Sequence, residues 1–286
     1  MPSLIDIRRR IRSVKNTQQI TKAMKMVSAA KLRRAQDRTI AARPYGAMLR
    51  KVLGNVAAAV ANDESAAENP LLARREERRI LLVVITGDKG LAGAFNTNLI
   101  KSAGRFVAEH SAAQITFELI GRKGRDYFRK RDVAIAGESI GLAAKVKYED
   151  TAVIAGRAMD LFRNEEIDAV YLIYNEFKSV VSQKLTLSRV LPAELPQQAN
   201  PVDYIFEEPP AQMLNILLPK YVEMEFYRAL LESAASEHAA RMTAMDSATS
   251  NASEMIDKLT LYMNRVRQAS ITKEIIEVVS GAAAAE

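Results

Sequence analysis

The last long run of the chain, Lys220 to Ser280, contains neither Gly nor Pro. Its apolar and small residues recur alternately three and four positions apart: Met242, Met245, Thr249, Ala252, Ile256, Leu259, Met263 and Val266. That spacing is the heptad seam of a coiled coil. A helix of this length spans about 90 Å at the usual rise per residue. A compact domain built from a chain of this size is only about 40 Å across. The helix is therefore expected to protrude, with something paired along its seam and something surrounding it.

Composition narrows what surrounds it. Hydrophobic residues make up 48% and charged residues 26%, an ordinary balance for a soluble fold, and the length allows one large domain or two small ones. The absence of Cys excludes disulfides, thiolate metal sites and thiol chemistry. No apolar run approaches the ~20 residues that span a bilayer. The opening Met1-Pro2-Ser3-Leu4-Ile5-Asp6 has no signal-peptide character, so a cytosolic or membrane-peripheral protein is expected.

Ser3 to Arg43 is likewise free of Gly and Pro. Ser3 is placed to cap a helix, with Asp6 near its positive end. Leu4, Ile7, Ile11 and Val14 begin a seam; from there the apolar character passes to Ile20, Met24 and Val27, leaving Gln18 and Thr21 where the repeat would continue. A slip of this kind is expected to change the local winding. Pro44 is expected to kink the helix, which would run on with a bend to about Ala61. Asn62-Asp63-Glu64-Ser65 reads as a loop and Asn69-Pro70 as a turn. Residues 1–54 carry fourteen Lys and Arg against Asp6 and Asp37, a net of +12; the whole chain is +7, so the remainder sums to −5. Singly, these cations read as the solvated exterior of a coiled coil. Together they repel one another and suggest an acidic partner: nucleic acid, anionic lipid or an acidic protein surface.

Residues 78–207 read as α/β. Ile80 to Ile85 has the continuous apolar character of a strand buried on both faces. Helical stretches follow at Asn96–His110, Arg122–Arg131 and Tyr148–Asn164, with strands at Gln114–Ile120 and Asp168–Tyr174. Phe177–Val190 alternates over a span that fits one long strand or a hairpin limb. Strand–helix alternation implies a mainly parallel, Rossmann-like sheet. Pro192, Pro196 and Pro201 end it, Pro209-Pro210 is a hinge signal, and Pro219 is expected to break a short helical piece, Ala211–Leu218, from the long helix.

Gly87-Asp88-Lys89-Gly90-Leu91-Ala92-Gly93 follows a strand and opens a helix, where phosphate-binding loops occur. Its Gly-x-x-Gly-x-x-Gly spacing matches neither the dinucleotide fingerprint nor the P-loop. A tight turn whose glycines permit close strand–helix packing is the reading preferred. His110 and His238 are the only histidines. His238, flanked by Ser236, Glu237 and Arg241, reads as a solvated helix residue. Asp160, Glu165 and Glu166 lack metal-site spacing, and the Met-rich seam reads as plain core. No catalytic site, metal site or cofactor site is expected.

Two very long helices at the chain ends and an α/β domain between them favour an antiparallel coiled coil of residues 1–61 with 211–286, the domain of residues 78–207 forming a foot. The seams are rich in Ala, Thr, Ser, Gln and Met, so the pair is thin. Near the end, Ile271, Ile275, Ile276, Val278 and Val279 are apolar on more than one face, which two helices cannot bury. An exposed apolar tip of this kind calls for a socket.

Four ordered stretches carry a resemblance. They are Ile20-Thr21-Lys22-Ala23-Met24-Lys25-Met26-Val27-Ser28-Ala29-Ala30-Lys31-Leu32-Arg33-Arg34-Ala35 with Ala42-Arg43-Pro44-Tyr45, then Asp88-Lys89-Gly90-Leu91-Ala92-Gly93-Ala94-Phe95-Asn96, then Ala240 to Ala252 around Arg241-Met242, and Ile271 to Ala282. In these, and over its whole length, the chain resembles the gamma subunit of F-type ATP synthases, of the bacterial type without the chloroplast regulatory insert. The resemblance implies a central rotor shaft that couples proton flow through a membrane ring of c subunits to conformational cycling of three alpha and three beta subunits, and the reverse on ATP hydrolysis. It implies acidic levers of the beta subunits near Lys22, Met24 and Lys25, and a bearing around the tip residues Ile271, Ile275, Ile276, Val278 and Val279. It also implies a foot, shared with the epsilon subunit, in which Asp88, Lys89, Gly90, Gly93 and Asn96 build a loop. The membrane would be met only through the c ring, on the cytoplasmic face of a bacterial plasma membrane. The alternative is a nucleic-acid-binding coiled-coil protein with the basic helix in a groove. Against it, the positive charge lies within the paired helix instead of on a free arm. A third reading, a small-molecule α/β enzyme, rests on the glycine turn alone.

Overall fold

Ile80 to Ile85 offers water no polar side, so it must be covered on both faces. In the computed structural model, which describes residues 3–60, 69–195, 206 and 208–283, with side chains through 280, this run forms the middle of a five-stranded sheet. A first helix, α1 (Leu4–Ala59), precedes β1 (Arg79–Ile85). There follow α2 (Phe95–Glu109), β2 (Gln114–Ile120), α3 (Arg122–Phe128), β3 (Ala134–Ser139), α4 (Tyr148–Arg163), β4 (Ala169–Phe177), β5 (Gln183–Leu191) and the terminal helix α5 (Pro210–Ala283). The strand order is β3-β2-β1-β4-β5. β1 is parallel to β2 and β4, β2 is parallel to β3, and β5 closes the sheet antiparallel to β4.

The period-two geometry of a strand sends neighbouring side chains of β1 into opposite layers. Leu81, Val83 and Ile85 join a core with Leu53 and Val56 of α1, Phe162 of α4, and Leu218, Val222 and Phe226 of α5. Ile80, Leu82 and Val84 join Leu99 and Phe106 of α2 and Phe117 of β2. The sheet is thus covered on both sides, as a Rossmann-like α/β arrangement requires.

Several local expectations are revised. The alternating stretch from Phe177 resolves as a hairpin: β4 takes Phe177, Ser179 N and Ser182 O close the turn at 2.9 Å, and β5 starts at Gln183. Strand β3 has no counterpart in the sequence reading. It contains Gly137, because the buried Glu118 carboxylate, paired at 3.0 Å with Arg157, occupies the space a Cβ would need. Asn69-Pro70 turns into a 3₁₀ turn, Pro70–Leu72, that the Asn69 side chain caps by accepting from Leu71 N at 2.9 Å. Neither internal proline breaks its helix. α1 runs through Pro44, and α5 runs from Pro210 through Pro219 as one element, so Ala211–Leu218 is no separate piece. A proline inside a helix costs about 3 kcal/mol. Leu214, Leu218, Val222 and Phe226, all fully buried around it, contribute about 1.5–3 kcal/mol each. Burial therefore wins. The expected loop at Asn62–Ser65, Pro196, Pro201 and the last residues, Ala284 and Ala285, lie outside the described residues.

The chain divides into two compact units: residues 1–28 with 242–286, and residues 29–241. The sheet and its layers belong to the second. In the first, α1 and α5 pair antiparallel. Thr249 Oγ1 donates to Thr21 Oγ1 at 2.8 Å and Lys25 Nζ meets Asp246 Oδ1 at 2.5 Å, so ascending one helix descends the other. On α1, up to Ser28, the buried or half-buried positions are Leu4, Ile7, Ile11, Val14, Gln18, Thr21, Met24, Lys25 and Ser28. The repeat does not slip. Ile20 and Val27 point outward, 60% and 56% exposed, and polar Gln18, Thr21 and Ser28 hold the seam. Face is decided by position on the helix, and apolarity does not overrule it. On α5 all eight expected seam residues, Met242 to Val266, are buried or half-buried.

Asp substituted at both Leu259 and Val266, which are half-buried, removes part of the ~1.5–3 kcal/mol that full burial of such a side chain contributes. Amide exchange in residues 4–28 and 242–270 is expected to accelerate while β1 and β4 stay protected. Native protection along both helices would contradict the pairing.

Candidate functional site: a braced glycine turn and a partly bare helix pair

The glycine turn lies at the carboxyl end of β1, beside β4, where the strand order reverses. Open α/β sheets commonly hold ligands there. Thr86 extends β1: its N–H donates to Ile120 O at 2.8 Å, and its hydroxyl accepts from Gly124 N at 2.8 Å. Asp88 accepts from the backbone N–H groups of Arg122 at 3.1 Å and Gly141 at 3.1 Å. Asn96 closes the turn, accepting from Gly87 N at 2.8 Å and donating to Lys89 O at 3.4 Å. Leu91 and Gly93 take left-handed conformations, φ 60° and 56°. Lys89 turns its side chain to water and contributes its carbonyl.

The space facing Gly87 is filled from within the chain. A Cβ on Gly87 would lie 2.7 Å from Cδ of Glu237 on α5. Glu237 is ion-paired with Arg241, one turn on, and both are buried, at 5% and 8% exposure. Arg241 Nε and Nη2 donate to Gly90 O at 3.3 Å, Nη2 reaches Lys89 O at 3.4 Å, and Nη1 donates to His238 Nδ1 at 3.3 Å. The same stretch of α5 is bonded to two strand ends. Ser233 Oγ donates to Ile85 O at 3.4 Å, Ser236 Oγ donates to Asn175 O at 2.9 Å, and Glu232 accepts from Phe177 N at 3.0 Å. Of the turn glycines it is Gly87 that serves close packing, and the helix it admits is α5.

The reading of His238 as a solvated helix residue is revised, and its flanking residues Ser236, Glu237 and Arg241 are buried. Ser236 is fully buried and His238 is half-buried. The available signal was the run of small residues Ala234, Ala235, Ser236, Ala239 and Ala240 around Glu237 and Arg241, which lets a backbone come close on every side. Burial raises the Glu237 carboxyl above its ordinary value, against the attraction of Arg241. Burial, then Arg241 and Lys31, push the His238 imidazole down to about 4. Among the described residues, no three His, Asp or Glu side chains converge as a metal site. His110 stacks on Phe106 at 4.1 Å, its Nδ1 2.9 Å from Phe106 O.

The expected contact and tip residues lie in the first unit. Lys22 is exposed and Met24 half-buried, while Lys25 is engaged by Asp246. Ile271, Ile275, Ile276, Val278 and Val279 are exposed by 50–72%. No described helix is long and apolar enough to cross a membrane.

A sheet whose ligand crevice is filled by its own terminal helix, and a helix pair ending in bare apolar turns, define a subunit of a larger assembly. The family model for ATP synthase matches residues 3–285. The chain is 94% identical to the ATP synthase gamma chain of Solibacter usitatus over all 286 residues of both. It is 51% identical to that of Pelotomaculum thermopropionicum, again over the full length of both. Among solved structures it resembles a chain of the Euglena gracilis mitochondrial ATP synthase with TM-score 0.67 and 19% identity, covering 98% and 94% of the two, which speaks for the fold. A Tetrahymena thermophila central stalk/c-ring structure matches with TM-score 0.62 and 26% identity, covering 80% and 99%. The chain belongs to the ATP synthase gamma chain family.

His238 makes the second unit acid-sensitive. Between its ordinary 6.5 and about 4, the unfolded chain binds a proton that the folded chain refuses, so stability falls as pH drops through that window. The full effect is about 3 kcal/mol. Glu237 acts in the opposite sense, because its raised carboxyl is protonated sooner when folded. His238→Gln should shrink the loss of urea resistance between pH 7 and pH 4.5; an unchanged loss would assign acid sensitivity elsewhere.

Proposed function

We propose that the chain is the central rotor of an F-type ATP synthase, linking proton flow through a membrane c ring to conformational cycling of an alpha/beta ring, and running in reverse on ATP hydrolysis. The observation that carries this is the first unit. A thin antiparallel helix pair, seamed by Thr21, Ser28, Ala252 and methionines, leaves Ile271 to Val279 uncovered. Such turns suit a sleeve of partner subunits, because small and apolar side chains form no directional bonds that would hold one angle. In this reading residues 1–61 and 211–286 supply the shaft and residues 78–207 the foot, shared with epsilon and seated on the c ring. The loop from Asp88 through Lys89, Gly90 and Gly93 to Asn96 helps build that foot. Lys22 and Met24 face the acidic levers of the beta subunits, with Lys25 contributing beside its Asp246 contact. The shaft works by differential contact with the open, loose and tight states of its neighbours. The chain itself carries no catalytic site, and the complex lies on the cytoplasmic face of the plasma membrane. The relatives lend the nucleic-acid alternative no support.

The test is the native mass of what co-purifies with a tagged copy from its own membranes. A complex of three alpha, three beta and one copy of this chain, with Mg-ATPase activity, is expected. A lone monomer, or a nucleic-acid complex whose affinity falls steeply with salt, would refute the reading.

Lys22→Glu should lower the yield of proton pumping per ATP hydrolysed while leaving chain stability within about 0.5 kcal/mol, as for an exposed substitution. Unchanged coupling would move the lever contact elsewhere. Lys25→Glu faces Asp246 as well and should cost up to about 1 kcal/mol in addition.

A further inference from the structure

We infer that the Glu237–Arg241 pair, seated in the Gly87–Gly93 turn, is the joint that fixes residues 210–241 of α5 on the sheet under torque, a positioning pair for rotary coupling. The inference rests on the rotor reading above. Apolar contact is non-directional, so a helix held only by the Leu218, Val222 and Phe226 face resists twist weakly. Hydrogen bonds to charged donors fix both distance and direction. Arg241 supplies several at once, to Gly90 O, Lys89 O and His238. Ser233, Ser236 and Glu232 add bonds to the ends of two different strands. Turning α5 about its axis must strain all of these together.

The receiving turn is braced in its own right, Asp88 holding Arg122 and Gly141, and Asn96 holding Gly87. A buried ion pair is a weak way to gain stability, because desolvation consumes most of the attraction. What such a pair supplies is one defined geometry. Gly87 is part of the joint, since any side chain there would push on the Glu237 carboxylate.

The experiment uses the whole complex in inverted membrane vesicles, comparing Arg241→Lys and Gly87→Ala with the unmodified chain. The first keeps the charge and loses the forked donation. The second keeps both charges and displaces them. The readout is ATP-driven proton pumping divided by ATP hydrolysis, with the assembled amount of this chain measured alongside. At native assembly, the ratio should fall about threefold in both, within the range by which changes in a coupling network act. A ratio equal to the unmodified complex in either variant overturns the joint. So does loss of assembly in either variant, which would make the pair a folding contact. Absence of pumping in the unmodified complex would instead strike at the rotor reading.

Discussion

Glu237 and Arg241 are opposite charges one helical turn apart, both withdrawn from water at the carboxyl end of β1. Removing such groups from solvent costs several kcal/mol each. The cost is offset only because they meet each other and because the remaining Arg241 donors find the carbonyls of Gly90 and Lys89. Much of the local sequence follows from that demand. A Cβ on Gly87 would press on the Glu237 carboxylate, Leu91 and Gly93 turn left-handed to present the loop, and Ala234, Ala235 and Ala239 let the helix approach. The crevice where an α/β sheet ordinarily accepts a phosphate already contains an anion from its own chain.

The helix pair of residues 1–28 and 242–286 works under a different constraint. Its seam keeps the three-four spacing even where that seats Gln18, Thr21 and Ser28 inside and turns Ile20 and Val27 outside. Apolar side chains left on the outer face stabilise nothing within the unit and are free to serve neighbours. A seam of small and hydroxyl-bearing residues keeps the pair slim, which suits the shaft proposed above.

Much of this was legible in the sequence where one physical rule acted alone. The Ile80–Ile85 run announced a doubly covered strand, and the Met242–Val266 spacing announced the face of α5. The rules failed where two competed. Pro219 argued for a break, and four buried apolar neighbours outweighed it. Strand β3 went unread, and its Gly137 leaves room for a buried carboxylate on the neighbouring strand. Glu237 and Arg241 look in sequence like a surface pair at i and i+4. Their partner Gly87 lies far away along the chain, so nothing local reveals that both are buried. The tip and the lever contacts came from pattern and resemblance; in the structure the tip residues and Lys22 are exposed, whereas Met24 is half-buried and Lys25 meets Asp246.

A heptad repeat is self-similar: two such helices can slide past each other by one repeat and find equivalent apolar contacts again. The Thr21–Thr249 and Lys25–Asp246 crossings have no such equivalents. They choose one axial register among several nearly equal ones. The length of the paired segment, and the height at which each outward residue is presented to its surroundings, is thus set by two small polar contacts.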